Sequence, residues 1–134
     1  MPNLYERQAI DPHDGLIAST WPPADVFHIT VRRATGSVTL KRGTLLDLST
    51  GTNGDGKYVI HGTAAGSGET LTPNAILAED VTVGTSADAL ALAYRTGHFA
   101  LDKLIVAAGA TITDADKEAL RDVGILISDA FPLS

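Results

Sequence analysis

The chain has no cysteine. That excludes disulfide staples, thiolate-bound metal and a thiol nucleophile, and it suits a protein made in a reducing cytoplasm. No stretch approaches the roughly 20 apolar residues of a membrane-spanning helix. The opening MPNLYERQAIDPHDG carries no apolar run, so no signal peptide is expected. Basic residues never run longer than the pairs Arg32-Arg33 and Lys41-Arg42, and the formal net charge is -6 at pH 7. A chain of that sign is repelled by phosphate backbones and anionic lipid surfaces, so neither nucleic acid nor membrane is expected as a partner.

Catalytic groupings are scarce as well. His13, His28, His61 and His98 form no H-x-x-x-H or H-x-H pair, and each reads as a surface or strand-edge residue rather than a metal ligand. DPHDG brings Asp11, His13 and Asp14 together, but Pro12 and Gly15 make the stretch a turn. Glu79 and Asp80 are strand neighbours and would point to opposite faces, so they do not read as a carboxylate pair. There is no G-x-S-x-G elbow. No catalytic, cofactor or metal site is therefore expected, and the chain does not read as an enzyme.

What remains is the composition of one globular domain: 134 residues, 44% hydrophobic, with 13 glycines and 6 prolines. Residues 1–25 are polar and proline-broken, with the apolar islands Leu16-Ile17-Ala18 and Trp21, and read as a flexible arm, mobile in the free protein, ahead of a β-rich domain at 26–134. VFHITVRR alternates Phe27, Ile29 and Val31 against His28, Thr30 and Arg32, the period of a half-buried strand. SVTLKRGTLLDL, KYVIH, AILAEDVTVG and DALALAYRTG read as further strands, with AAGSGETLTPN as a loop. LDKLIVAAG has helical spacing, ending at Gly109. TDADKEALRDVG is a stronger helix, with Thr113 as N-cap, Asp116 at N3, Leu120 and Val123 facing inward and Gly124 as C-terminal cap. ILIS closes with a strand. The expected class is α+β, mainly β, with two short C-terminal helices.

STGTNGDGKYVI, from Ser49 to Ile60, partly matches two ligand loops. As a phosphate loop it supplies Gly51, Gly56 and Lys57, but Tyr58 stands where a hydroxyl is needed and a strand, not a helix, follows. As a calcium loop it lacks the first and last carboxylates and the flanking helices. The expected reading is a connection between strands, its glycines and Asn/Asp residues tolerating positive φ. A nucleotide hydrolase is excluded on these grounds, while a β-rich module for carbohydrate or calcium stays as an alternative.

The blocks GLIASTWP, LKRGTLLDL, GKYVIHG, ETLTPNAILAEDVTV, ALALAYRTGHFALDKLIV and LRDVGILIS, in this order over residues 15–128, resemble the lambda-type head decoration proteins of tailed bacteriophages. The most specific parts are Arg42-Gly43, Ile76 to Val81 and Leu120 to Ile125. Ala75 departs from the glycine common before "IL". The resemblance implies a small β-clip-like domain assembling as a homotrimer. Its partner would be the major capsid protein, and its place the outer surface of the virion head at threefold positions. It implies no cofactor. Leu16, Ile17, Ala18 and Trp21 are the candidate residues of the capsid-binding arm.

Overall fold

The computed structural model describes residues 15–19 and 21–128. The Asp11, His13 and Asp14 grouping, like the rest of the first fourteen residues, lies outside them. The strands are β1 (Ile17–Ser19), β2 (Asp25–Val31), β3 (Val38–Leu40), β4 (Leu45–Thr50), β5 (Tyr58–Ile60), β6 (Thr70–Leu77), β7 (Val81–Val83), β8 (Ala89–Ala100) and β9 (Ile125–Ser128). One helix, α1 (Asp114–Asp122), precedes β9. The mainly β expectation holds.

Strand β8 organises the sheet. Its first half pairs antiparallel with β2 on one edge and with β6 on the other, and β2–β5–β4–β6 then closes into a barrel-like sheet. Its second half carries β1, antiparallel, and β9, parallel. A separate β3–β7 ribbon covers one side. Period-two alternation puts neighbouring residues on opposite faces, and here both faces are covered. Leu46, Ala75, Leu77 and Ala93 join a first core with Ile29, Val31, Leu40 and Val83. Their strand neighbours Leu45, Ile76 and Tyr94 join a second core with Leu16, Phe99, Leu120 and Ile125. Pro73 sits in β6 where the register with β4 shifts, the kind of irregularity at which a sheet accommodates proline.

Four local expectations change. LDKLIVAAG is not a helix: only a 3-10 turn forms at Leu101–Lys103, Ala100 supplies no side-chain cap, and Leu104 is already extended. Ile105 is held by Gly43 and Leu45 instead, donating to the Gly43 carbonyl (3.0 Å) and accepting from the Leu45 N–H (2.9 Å). AILAEDVTVG breaks at Ala78–Asp80 because the Asp80 carboxylate accepts from the Arg42 N–H (2.8 Å) and the Glu79 carboxylate from the Leu92 N–H (3.2 Å). Glu79 and Asp80 are therefore bend residues rather than strand neighbours. The loop expected at AAGSGETLTPN gives up Thr70 to Asn74 to β6. In α1 the Thr113–Asp116 capping box forms as read, and Leu120 is buried, but Val123 is exposed at the C-cap.

Candidate functional site

The N-terminal segment is seated on the second core. Leu16 is 2% exposed and its carbonyl accepts from the Ala100 N–H at 2.9 Å. Ile17 pairs with Phe99 and Ser19 with His98, while Ala18 between them is half-buried. Gly43 borders this seat: a Cβ there would be in ordinary contact with Leu16 Cδ1 (3.6 Å) but tight against the Lys103 carbonyl oxygen (3.1 Å), and its φ of 98° favours glycine independently. Arg42 reaches the Ala78 carbonyl (3.3 Å) and lies over the Tyr94 ring, 5.4 Å from its centroid. Trp21 stands apart. Its backbone N–H donates to Ser19 Oγ (3.2 Å), and the residue is 76% exposed. The structure thus brings Leu16, Ile17 and Ala18 onto the domain, and among these four candidates Trp21 is the large apolar group facing solvent.

The glycine-rich loop joins β4 to β5, and its charged side chains are engaged within the fold. Arg32 Nε and Nη2 donate to the two carboxylate oxygens of Asp55 (3.0 and 3.1 Å). Arg32 also bonds Glu69, which accepts from Ser49 Oγ as well. The Arg32 hydrogen bond holds Asp55 down to about 2. The Gly66 N–H, then Ser49 and Arg32, hold Glu69 down to about 2. Lys57 Nζ lies 2.6 Å from Asp88, which also accepts from the Arg33 N–H (2.8 Å). Positive φ falls on Gly51 and Gly56, not on Asn53 or Asp55. Gly54 is needed for another reason: a Cβ there would lie 2.3 Å from the Thr50 carbonyl carbon. Among the described residues no group of three or more His, Asp or Glu is arranged to hold a metal.

His61 departs from the surface reading. Just beyond β5, its side chain is 12% exposed, with Nδ1 2.8 Å from Asp47 Oδ1 and Nε2 3.1 Å from both the Thr111 carbonyl and Asp116 Oδ2. Burial of the ring lowers its pKa, but the hydrogen bond and charge of Asp47, the Thr111 carbonyl and Asp116 outweigh it and leave the pKa raised. Burial pushes the Asp47 carboxyl up, against the opposing pull of His61. Sequence spacing carried no signal for this group, since His61 and Thr111 are 50 residues apart. Nor did it for Arg32 and Glu69, which are 37 apart.

A mainly β domain whose loop charges serve its own fold, and whose first strand leads to an exposed tryptophan, has the makings of a structural, surface-binding protein. The family model of the bacteriophage lambda head decoration protein D matches residues 14–126, and the chain belongs to that family. No curated protein sequence matches it significantly. Membership assigns it a decoration role on a phage capsid. Among the described residues no helix is long and apolar enough to cross a membrane. The residues that carried the resemblance converge in space: Leu16, Gly43, Ile76, Leu120 and Ile125 all border or build the second core.

Proposed function

We propose that this protein is a cement for the mature phage head, bound as a homotrimer to the outer surface at threefold positions and stabilising the contacts between neighbouring major capsid proteins. The contact is assigned to an N-terminal arm, residues 1–25, carried on a β-clip-like body at 26–134. The observation that carries this reading is the position of β1: the family match begins at residue 14, Leu16 is anchored in the body, and Trp21 is left exposed beside it. In such an arm the backbone adds to a sheet edge of the capsid protein, and Trp21 enters a pocket, with Leu16, Ile17 and Ala18 fixing where the arm leaves the body. Three arms on one rigid trimer act together through effective concentration, so each contact need only be moderate.

Light scattering of the free protein tests the assembly, with three chains expected and a strict monomer or dimer contradicting it. Cosedimentation with expanded capsids lacking decoration tests the arm. Wild-type protein is expected to pellet with the shells, and Trp21→Ala and a deletion of residues 2–14 to stay in the supernatant while remaining folded. Undiminished binding by both variants would move the contact to the body.

A further inference from the structure

His61 joins two parts of the chain that are distant in sequence, β4 and the start of α1. Asp47 comes from β4, Asp116 from the first turn of α1, and the Thr111 carbonyl from the segment leading into that helix. Asp47 and Asp116 are the charged groups facing the ring. All three partner atoms are oxygens: a carboxylate on Nδ1, and a carbonyl and a carboxylate on Nε2. A neutral imidazole carries one N–H and one lone pair, whereas an imidazolium donates from both nitrogens. Asp116 has a second duty, because its Oδ2 accepts from the Thr113 N–H (2.9 Å) to close the capping box of α1. The main chain follows the same path, with the Ala107 N–H donating to the His61 carbonyl (2.9 Å) and the His61 N–H to the Leu45 carbonyl (2.8 Å).

We infer that His61 is a proton-dependent latch that holds the start of α1 to the sheet. Protonated, it donates to Asp47 on one side and to Thr111 and Asp116 on the other. Once the proton leaves, a lone pair faces oxygen on one of these sides, and the N-terminal turn of α1 loosens. Leu120 of α1 and Leu16 share the second core, so the loosening extends to the seat of the N-terminal segment. The direction follows from linkage. A histidine with a folded-state pKa above its unfolded value contributes stability that is complete below about 6.5 and fades as pH rises through the folded value.

The test runs from about pH 6 to about pH 9, where carboxylates ordinarily stay ionised. NMR of the imidazole nitrogens should show His61 in wild-type protein titrating above the ordinary histidine value of about 6.5, with both nitrogens protonated at the acid end. Hydrogen exchange should show the Asp116 and Lys117 amides, which donate to Thr113, losing protection several-fold relative to β2 and β8 amides over the same range. In His61→Gln that relative protection should be low and independent of pH. A neutral His61 at about pH 6, or equal pH dependence in wild type and His61→Gln, would overturn the latch. The wild-type titration decides even if the variant fails to fold.

Discussion

Replacing Leu16 with alanine tests whether the N-terminal segment belongs to the body. Its side chain is buried in the core it shares with Leu45, Ile76, Phe99, Leu120 and Ile125, all fully buried. Truncation loses the transfer free energy of the removed carbons and adds a cavity term, about 2–5 kcal/mol in total for a buried leucine. Collapse is limited here, because the walls are paired strands and the backbone of Gly43. The upper half of the range applies, roughly 3.5–5 kcal/mol, or a fall in Tm of about 12–18 °C for a domain of this size. Trp21→Ala is the matched control: at 76% exposed it should change the stability of free protein by no more than about 0.5 kcal/mol. Calorimetry on both variants measures the difference. A Leu16→Ala loss under about 1 kcal/mol would refute the seat and return Leu16 to the partner-facing surface.

Gly54→Ala should lower Tm more than Gly56→Ala, since a Cβ at Gly54 collides with Thr50 backbone while Gly56 has open space and only its φ of 73° to strain. That strain costs about 1–2 kcal/mol, so equal losses would contradict the loop geometry. Arg32→Met should lower Tm by a few degrees near neutral pH. Asp55 and Glu69 are both held down to about 2, so this contribution is present above their unfolded values and lost only as pH falls through about 2. The gap between wild type and variant should persist at about pH 5 and close toward about pH 2, and thermal melts showing it gone by about pH 5 would contradict the carboxylate assignment.

Features set by near neighbours were legible in the sequence. The alternation of Ile29 and Val31 against His28 needs only period two, and the Thr113–Asp116 box closes within one turn. Gly124 takes the positive φ that its place after α1 demands. Residues 101–109 have apolar spacing that suits a helix, but the deciding bonds come from Gly43 and Leu45, remote in sequence. Leu16 and Trp21 looked alike as apolar islands on a polar segment. Only the tertiary fold distinguishes them, by placing Leu16 in the second core and leaving Trp21 in solvent. His61 is illegible for a similar reason, since its partners come from β4 and from the stretch leading into α1, both remote from it in sequence.

The most direct measurement is cryo-electron microscopy of expanded, undecorated capsids of the phage that encodes this chain, imaged with and without added protein. The account predicts trimeric density on the outer surface at the threefold positions, with N-terminal segments running from the body onto the major capsid protein and Trp21 buried in the contact. Bare capsids at saturating protein, or density whose contact is made by the body with Trp21 still in solvent, would contradict it.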